Sequence, residues 1–449
     1  MSYAEAIQQL NALVPELYTQ PGQPRRKFSL DEIRILLEAL GNPHRKFPSV
    51  LIAGTNGKGS TAAALAAILR AAKLRVGLYT SPHLERVNER IRVGEELIAD
   101  EEFSRQYFQV YVAAEQLVQA GTLAQMPSFF ETLTAMAFLH FAEAGVEIAV
   151  IEVGMGGRLD ATNIVDPLLS VITDISLDHT EWLGSTIRLI ALEKAGILRR
   201  GGTLVTLPQH PEANQALGEV AVELGVHGVN AATYMPPMDA GVQSHYAVEA
   251  LGEAIEVEQP LAGSHQQRNL ALAIASAVEL AEKHGFPITP AAIVEGIGHG
   301  TVWPGRLERI VESADRTWLL DVAHNPAGVW ALRAALNGGW EIPSPRTLVF
   351  SCLRDKPLTE MAQILFPLFE EVIFAPIRSA RATPLEELMA AAALTGTKAV
   401  AATTVEDAIE RAAADTGSGT IVVSGSVYLV GEARPLVIER TKTHLGGRS

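Results

Sequence analysis

The segment from Ser49 to Ala72 reads SVLIAGTNGKGSTAAALAAILRAA, and it indicates how the chain folds. Its first part, Ser49–Ala53, is apolar without alternation, which is typical of a strand covered on both faces. Its last part, Thr61–Ala72, predicts a helix, and a glycine-rich turn joins the two. A buried strand that leads directly into a helix predicts a parallel sheet with crossover helices.

The same alternation of strand and helix extends over most of the chain, which indicates an α/β fold. Further strands of the first series are predicted at Arg75–Thr80, Glu147–Val153, Leu168–Ile175 and Thr203–Leu207. Helices are predicted at Ile187–Leu198 and His265–His284. The segment Val226–Pro260 is polar, short and strand-like, so it predicts an antiparallel appendage to the main sheet.

A second α/β series follows a break in the pattern. Near Gly296–Pro304 the sequence reads GIGHGTVWP, and this glycine and proline punctuation marks a domain boundary. We therefore predict two domains, residues 1–300 and 301–449. The strands predicted in the second domain are Trp318–Val322, Thr347–Ser351, Glu371–Ala375, Lys398–Ala401 and Thr420–Ser424.

Composition excludes several classes of protein. The 449 residues are 48% hydrophobic, which is too apolar for a disordered chain, and the formal charge of −15 gives a nucleic-acid partner little electrostatic support. A single cysteine excludes a disulfide framework and a cysteine-rich zinc site, as expected in a reducing compartment. No apolar stretch approaches the length of a membrane span, and the N-terminus does not read as a signal peptide.

The turn after the first strand has the features of a phosphate-binding loop. Its glycines let successive backbone N–H groups face an anion, the helix that follows adds its positive end, and Lys58 and Ser60 can contact phosphate and Mg²⁺. The spacing departs from the general phosphate-loop pattern, because Gly59 separates Lys58 from Ser60. A plain tight turn would also explain the glycines, but the context favours ATP as the ligand. The loop residues that would bind it are Thr55, Asn56, Gly57, Lys58, Gly59 and Ser60.

Three side chains follow predicted strands, where ligands of open α/β sheets collect. Glu152 ends one strand, His179 follows the next, and Ser81 lies after the strand near Tyr79. Oxygen ligands with one imidazole suit Mg²⁺ or Mn²⁺ better than zinc. Taken alone, His179 is better interpreted as a capping or loop histidine, whereas a carboxylate that ends an apolar strand needs a cation or hydrogen-bonded partner. Lys194, on an otherwise apolar helix, is by itself best interpreted as a snorkelling or salt-bridged lysine.

The second domain offers its own polar cluster. Arg306 closes the linker and could reach a phosphate, and the first strand beyond it ends in Asp321, His324 and Asn325. Such residues at the carboxyl end of a strand indicate a substrate or nucleotide contact. An ordinary strand-to-helix turn, capped by Asn325 before a proline, is the competing interpretation. Asp355-Lys356 occupies the equivalent place after the next strand, and both positions fit a site between domains.

Together these motifs resemble one family, the folylpolyglutamate and dihydrofolate synthases of the Mur ligases. The resemblance covers nearly the whole chain and keeps the order of the family's motifs. They read AGTNGKGS, TSPHLERVNERI, FFETLTAMAF, EVGMGGRLDATN, SLDHTEWLG, EKAGI, HQQRN, PGRLE, DVAHNP, DKP and SGSVYLVGE. One position departs from many members, since Val322 of DVAHNP stands where they have glycine.

The resemblance implies an N-terminal P-loop ATPase domain and a C-terminal Rossmann-like domain with ATP between them. It implies two Mg²⁺ ions, with room for a monovalent cation, and it reverses the interpretation of Lys194, which matches a lysine that carries a carbamate in many relatives. The implied metal ligands are Ser60, Ser81, Glu152, His179 and carbamylated Lys194. The implied nucleotide contacts beyond the loop are Asn269 for the base, Arg306 for a phosphate and Asp321 for the ribose.

The resemblance also implies the reaction. A substrate carboxylate takes the γ-phosphoryl group of ATP, and the amine of L-glutamate then displaces phosphate from the acyl phosphate. The implied catalytic residues are Lys58, Glu152, His179, Lys194 and His324. The incoming amino acid would meet His324 and Asn325. The segments that match the pterin-side pocket of bifunctional relatives are Phe129, Phe130 and Glu131 with Leu159, Asp160 and Ala161.

We therefore expect an enzyme that adds glutamate both to dihydropteroate and to the tail of reduced folates. A synthase restricted to tail extension is the nearest alternative. A cell-wall ligase acting on UDP-linked peptides and a non-catalytic nucleotide-binding protein are more distant ones. The expected partners are these small molecules, with no nucleic acid and no membrane, and the protein is expected to be a cytoplasmic monomer.

Overall fold

The chain divides into two units, each organised around its own largely parallel sheet. The computed structural model describes residues 2–13, 29–236, 244–313, 316–338, 343–416 and 418–446, with side chains to residue 442. The first unit comprises Met1–Met235, Tyr246–Glu258 and Arg268–Thr301. The second comprises Pro236–His245, Gln259–Gln267 and Val302–Ser449.

Among the described residues, the first unit contains an eight-stranded sheet in the order β4-β3-β2-β5-β1-β6-β7-β8. Its strands are β1 (Ser49–Ala53), β2 (Val76–Tyr79), β3 (Ile91–Val93), β4 (Glu96–Leu97), β5 (Ile148–Glu152), β6 (Leu169–Ile172), β7 (Thr203–Thr206) and β8 (His227–Asn230). Strand β1 pairs in parallel with β5 on one side and β6 on the other, and every residue of β1 and β5 is buried. The apolar runs read from the sequence are therefore central parallel strands, as predicted.

Helices cover this sheet and follow its strands. Those described before residue 230 are α1 (Tyr3–Ala12), α2 (Asp31–Ala39), α3 (Lys58–Ala71), α4 (Asp100–Gln119), α5 (Phe129–Ala144), α6 (Thr180–Leu183), α7 (Ile187–Ala195) and α8 (Pro211–Leu224). Helix α3 begins at Lys58, earlier than the predicted Thr61, because Gly57 at φ +88° turns the chain directly from the loop into the helix. Lys58 and Ser60 thus belong to its first turn.

The segment predicted as an antiparallel appendage splits into two kinds of structure. Strand β8 joins the large sheet as a parallel edge beside β7, so that part of the prediction is wrong. Its polar residues are mostly exposed, as the free edge of a sheet allows. Residues 245–258 form a separate two-stranded sheet of β9 (His245–Ala250) and β10 (Glu253–Glu258), joined by a two-residue turn that makes them an antiparallel hairpin. Helices α9 (His265–His284) and α10 (Pro290–Gly298) follow.

The second unit contains a six-stranded sheet in the order β11-β12-β16-β13-β14-β15 among its described residues. Its strands are β11 (Glu308–Ser313), β12 (Arg316–Leu320), β13 (Arg346–Phe350), β14 (Glu371–Phe374), β15 (Ala399–Ala401) and β16 (Gly419–Ser424). Its helices are α11 (Pro326–Asn337), α12 (Leu358–Leu365), α13 (Leu385–Thr395), α14 (Val405–Thr416) and α15 (Val427–Gly446). All five predicted strands are present, and the antiparallel edge strand β11 was not predicted.

Each unit has its own apolar core. In the second unit, Phe350 packs edge-on against Phe366 with ring centroids 5.1 Å apart, and Phe374 joins them. In the first unit, Phe138 and Phe141 of α5 pack against Phe47. Across the described residues, none of the helices is both long and apolar enough to cross a membrane.

Candidate active site

The glycine-rich loop between β1 and α3 is held against the segment that follows β6. The backbone N–H groups of Thr55 and Asn56 both donate to the carbonyl of Asp174, at 2.8 and 3.2 Å. The Thr55 hydroxyl accepts from the N–H of Ser176 and donates to its carbonyl, both at 3.1 Å. These bonds fix the loop at the carboxyl ends of the two central strands, where a ligand site of an α/β sheet is expected.

Close packing explains two of the loop's glycines. A Cβ on Gly54 would lie 1.8 Å from the Thr173 hydroxyl oxygen, and one on Gly57 would lie 2.1 Å from Oδ1 of Asn269. Asn269 is buried, and it reaches this position from α9. The loop therefore needs glycine for its contacts with neighbouring residues as well as for its turn. It also brings Asn269, a predicted nucleotide contact, directly against the phosphate loop.

Lys58 and Lys194 converge on one carbonyl of this loop. Nζ of Lys58 lies 3.2 Å from the carbonyl oxygens of both Gly54 and Thr55, and Nζ of Lys194 lies 2.7 Å from that of Gly54. The Lys194 side chain is buried, and its burial, reinforced by the charge of Lys58, lowers its pKa to about 7. Two lysines thus contact the phosphate loop: Lys58 is partly buried, and Lys194, from α7, is buried.

The interpretation of Lys194 as a snorkelling or salt-bridged side chain is wrong. It is 3% exposed, so its amine does not reach solvent. The neighbouring Glu193 pairs with Arg158 instead, at 2.8 Å. The sequence alone favoured that interpretation because a lysine on an otherwise apolar helix usually extends its amine to water or to an ion-pair partner. The contact that buries it comes from the loop after β1, far away in sequence.

Glu152 and Ser81 meet at the carboxyl ends of adjacent strands. Strand β5 pairs in parallel with β2, and the N–H of Ser81 donates to Oε2 of Glu152 at 3.1 Å. Glu152 is 4% exposed, so its charge is sheltered from water. The hydrogen-bonded partner that a buried strand-end carboxylate requires is present.

His179 lies in the loop before the short helix α6, at a positive φ of 50°. Its backbone N–H donates to Oδ1 of Asp178 at 2.9 Å. The loop position agrees with the simpler interpretation, but the side chain makes no capping hydrogen bond to the helix. Its assignment as a metal ligand stays a prediction.

The predicted metal ligands do not form a preformed site of several carboxylate and imidazole groups in the described part of the chain. Within the ranges that the structure describes, no three His, Cys, Asp or Glu side chains are grouped to hold an ion. Glu152 supplies one buried carboxylate, and Ser60, in the first turn of α3, is also buried. Mg²⁺ at nucleotide sites commonly uses one or two carboxylates together with phosphate oxygens. These residues therefore fit an ion shared with a nucleotide better than a preformed cage.

Several side chains predicted for the pterin side hold the local backbone. Glu131 forms a capping box with Ser128 at the start of α5, with its carboxylate 2.8 Å from the Ser128 N–H. Asp160 accepts from the backbone N–H groups of Met155 and Thr162, at 2.9 and 3.0 Å. Burial raises the pKa of Asp160 despite these bonds. Both carboxylates therefore shape the loops that carry them, and a substrate role stays a prediction.

The two phenylalanines of this region differ in burial, since Phe130 is buried and Phe129 is half-buried. Phe130 packs against Tyr79 with ring centroids 6.0 Å apart, and the Arg90 guanidinium lies 5.3 Å above the half-buried ring of Phe129. Leu159 is half-buried and Ala161 is buried. Sequence reasoning did not single out Arg90, although it lies within the quoted motif TSPHLERVNERI.

An ion pair that the sequence did not predict holds the segment after β6, to which the phosphate loop is bonded. Arg268, next to Asn269, binds the Asp174 carboxylate through Nε and a terminal nitrogen at 2.6 to 3.0 Å. Asp174 is the residue whose carbonyl holds the phosphate loop. The sequence signals this pair only through the motif HQQRN, which contains Arg268 but does not identify Asp174 as its partner.

In the second unit, Asp321 lies just beyond β12 and is 8% exposed. It accepts from the N–H groups of Leu307 and Ala323, both at 2.9 Å. Burial raises the pKa of Asp321, and the nearby charges of Arg306 and His265 oppose that rise. The predicted neighbours Arg306 and Asp321 are thus within electrostatic reach of each other.

Asn325 and His324 follow in the same turn. Asn325 caps α11, with Oδ1 2.8 Å from the N–H of Gly328, which confirms the strand-to-helix turn. Nδ1 of His324 lies 2.9 Å from the carbonyl oxygen of Val322. Because a carbonyl can only accept, Nδ1 carries the hydrogen, and Nε2 of a neutral ring keeps its lone pair. Lys356 is buried beside Asp355, which also binds Arg381 at 2.6 Å.

Family models match both halves of the chain. The Mur ligase middle domain matches residues 52–277, and the Mur ligase glutamate ligase domain matches residues 305–427. A folylpolyglutamate synthase of Lacticaseibacillus casei is 34% identical over 100% of both chains. A dihydrofolate synthase/folylpolyglutamate synthase of Bacillus subtilis is 35% identical over 91% of this chain and 94% of the relative.

Solved structures agree over almost the full length. Folylpolyglutamate synthase of Mycobacterium tuberculosis, complexed with ADP and AMPPCP, superposes with a TM-score of 0.85 at 34% identity, covering 97% of this chain and 98% of that one. E. coli FolC in complex with DHPP and ADP gives a TM-score of 0.82 at 28% identity, covering 98% of each. The chain therefore belongs to the Mur ligase family, among the folylpolyglutamate and dihydrofolate synthases, and is an ATP-dependent ligase.

Proposed function

We propose that this ligase is bifunctional, and that it adds L-glutamate to dihydropteroate as well as to the glutamate tail of reduced folates. The observation that carries the ligase chemistry is the convergence of Lys58 and Lys194 on the Gly54 carbonyl. Glu152 ends β5, the neighbour of β1 in the same sheet. The charge of Lys58 and the backbone N–H groups at the start of α3 suit the phosphates of a nucleoside triphosphate, and Glu152 suits a Mg²⁺ ion bound to those phosphates.

The reaction proceeds in two steps, and neither step requires a nucleophile from the protein. A carboxylate oxygen of the acceptor forms a bond to the γ-phosphorus of ATP, the bond to ADP breaks, and an acyl phosphate results. The amine of glutamate then attacks the acyl carbon, the carbon–oxygen bond to phosphate breaks, and the amine loses a proton. We assign the uptake of that proton to Nε2 of His324, whose lone pair is kept by the Nδ1–H contact with Val322.

Positive charge near the transferring group supplies most of the catalysis in such a reaction. We assign Lys58, with the N–H groups of the first turn of α3, to the phosphates, Asn269 to the base, and Arg306 and Asp321 to phosphate and ribose. Bound Mg²⁺ would add positive charge at the transferring phosphoryl group. Its ligands would be Ser60, Ser81, Glu152, His179 and a carbamylated Lys194.

The surroundings of Lys194 support the carbamate. A carbamate forms when a neutral amine attacks carbon dioxide and loses a proton, so an ammonium cannot react. The pKa of about 7 leaves a large neutral fraction of Lys194 near neutral pH. Intact mass measured in bicarbonate buffer tests this assignment, because loss of the carbamate adduct in a Lys194→Met variant identifies its position. An unmodified wild-type mass under those conditions contradicts it.

Bifunctionality rests on the pterin-side segments and on relatives with both activities in their names. Phe129 and Arg90 form a stacked pair beside Phe130 in the region matched to the pterin side. The Bacillus subtilis relative is named for both activities, and E. coli FolC was solved with DHPP. The full-length Lacticaseibacillus casei relative is named for folylpolyglutamate synthesis alone, which favours a tail-extending enzyme as the second candidate.

The test compares the two acceptors directly. Phosphate release is measured with ATP, Mg²⁺ and glutamate, once with dihydropteroate and once with tetrahydrofolate. Release with both supports the bifunctional enzyme, and release with tetrahydrofolate alone supports the tail-extending one.

We also propose a cytoplasmic monomer, for which the mass of the purified protein by light scattering is the check. Turnover with UDP-muramoyl substrates, in place of either folate acceptor, would support the alternative function of a cell-wall ligase.

A further inference from the structure

The loop Ser81–Arg90 connects β2 to β3 and is closed at its base. The N–H of Thr80 donates to the carbonyl of Arg90 at 3.0 Å, and β2 and β3 then pair in antiparallel fashion. The loop is therefore a compact excursion whose ends are adjacent, a type of loop that often carries function. It lies at the same end of the sheet as Glu152.

One carboxylate organises the turn inside this loop. Oε2 of Glu89 accepts from the N–H of Leu84 at 2.7 Å. Oε1 accepts from the N–H groups of Glu85 and Arg86, at 2.8 and 2.7 Å. Three consecutive backbone donors thus point at a single side chain, an arrangement normally used to bind an anion. Hydrogen bonds to a charged acceptor are about twice as strong as neutral ones.

The parts of the loop on either side of this turn face the site. The N–H of Ser81 binds Glu152, as described above. Nε of Arg90 donates to Nδ1 of His83 at 2.9 Å, and the same guanidinium lies over the ring of Phe129. Arg90 is 8% exposed, so its position over the ring is confined by its neighbours. The turn held by Glu89 lies in the chain between His83 and Arg90.

The outer side of the loop has separate attachments. The Arg86 guanidinium binds the Asp100 carboxylate at 2.7 Å, and Nδ2 of Asn88 donates to the carbonyl of Ile98 at 2.8 Å. These contacts tie the loop to β4 and to the start of α4 without using Glu89. Loss of the Glu89 carboxylate should therefore relax the turn at residues 84–86 while the loop stays attached.

We propose that Glu89 is a positioning residue for the acceptor substrate, because its carboxylate sets the turn that places the His83–Arg90 pair over Phe129. The inference rests on the proposed function, in which Phe129 belongs to the pterin side. Glu89 contacts neither substrate nor nucleotide in this assignment and acts through Arg90. Its removal should weaken acceptor binding and leave nucleotide binding largely intact.

The test is Glu89→Gln, with Glu85→Gln as the matched control, an exposed carboxylate of the same loop. We expect the KM for tetrahydrofolate to rise about tenfold, the size of effect that the loss of one charged hydrogen bond produces. The KM for ATP and the affinity for ADP by calorimetry should change less than about twofold, within ordinary mutational noise. Glu85→Gln should change neither.

With an active wild-type enzyme, two results would overturn the inference. One is an unchanged KM for tetrahydrofolate in Glu89→Gln. The other is an equal rise in the KM for ATP, which would mark a general structural role. If Glu89→Gln does not fold, Glu89→Asp, which keeps the charge on a shorter side chain, must show the same split between the two KM values. Wild-type protein without turnover on either acceptor would defeat the proposed function, and this inference with it.

Discussion

Lys194 lies beneath the phosphate loop with its amine 2.7 Å from the Gly54 carbonyl, in a position that no surface lysine could occupy. Burial of an ammonium is unfavourable, and the lowered pKa expresses that cost. The same burial makes the amine reactive near neutral pH. At the scale of single residues, the feature that says most about the chemistry of this protein is therefore a buried amine that lowers its stability.

Lys194→Met should reveal this cost as a pH-dependent stability difference in bicarbonate-free buffer. The unfolded lysine keeps its proton up to its ordinary pKa of 10.5, whereas the buried one loses it near 7. Wild-type stability should therefore rise between pH 7 and 10. The free energy of unfolding of the variant, relative to wild type, should fall over that range by up to about 1.4 kcal/mol per pH unit. Denaturant unfolding at three pH values measures it, and a constant difference would contradict it.

Gly57→Ala tests whether the phosphate loop needs glycine for its close contact with Asn269 as well as for its turn. The added Cβ would collide with Asn269 and would also sit at φ +88°. We expect the affinity for ADP to fall at least about tenfold, because either the loop or Asn269 must move. Gly121→Ala is the control, since Gly121 has φ +70° but open space around it. Calorimetric titration of both variants decides the matter, and equal ADP affinities would show that the Asn269 contact does not matter.

At the scale of elements, the buried central strands were well predicted, whereas the edge strands were predicted unevenly: β15 was found, but β11 and β8 were not placed correctly. Strand β1 was placed with its exact bounds because a central parallel strand must be apolar throughout. Strand β11 has one buried residue among partly buried and exposed ones and was missed, and β8 is polar and was assigned to the wrong sheet. An edge strand has only one neighbour, so its sequence carries a weaker signal.

The edge strand β11 brings its own stabilising network, which has no sequence signature. Glu312 is fully buried and accepts from Nε1 of Trp318 at 2.7 Å and from Nε of Arg440 at 2.9 Å. Arg316 lies 3.3 Å from the same carboxylate. Burial alone would raise the pKa of Glu312, but the Trp318 hydrogen bond and the two arginines lower it overall. The network joins β11 and β12 to α15.

Glu312→Gln should destabilise the protein by about 3 kcal/mol, since the buried negative charge shared by two partly buried guanidinium groups would be lost. Glu410→Gln is the control, because Glu410 binds the same Arg440 at 2.8 Å but is largely exposed. Its removal should cost less than about 1 kcal/mol. Because the pKa of Glu312 is lowered on folding, its contribution is present above pH 4.5 and is lost as pH falls. Equal unfolding free energies for the two variants would refute this role.

At the scale of the whole molecule, the sequence motifs identified most of the candidate site, but not the contacts among its members. The loop, Glu152 and Ser81 were placed correctly because strand ends meet at one edge of a parallel sheet. The burial of Lys194 and the pair of Arg268 with Asp174 could not be predicted, since each depends on segments distant in sequence. The caps formed by Glu131 and Asp160 were not predicted, although Ser128 and Glu131 have the spacing of a capping box.

Activation of the acceptor carboxylate by phosphoryl transfer can be followed through the transfer of an oxygen atom. Tetrahydrofolate labelled with ¹⁸O in the carboxylate that accepts glutamate is incubated with the enzyme, ATP, Mg²⁺ and glutamate. One labelled oxygen should appear in the released phosphate, because the acyl carbon–oxygen bond breaks when the amine attacks. Unlabelled phosphate released together with glutamylated product would contradict an acyl phosphate, and with it the function assigned to this site.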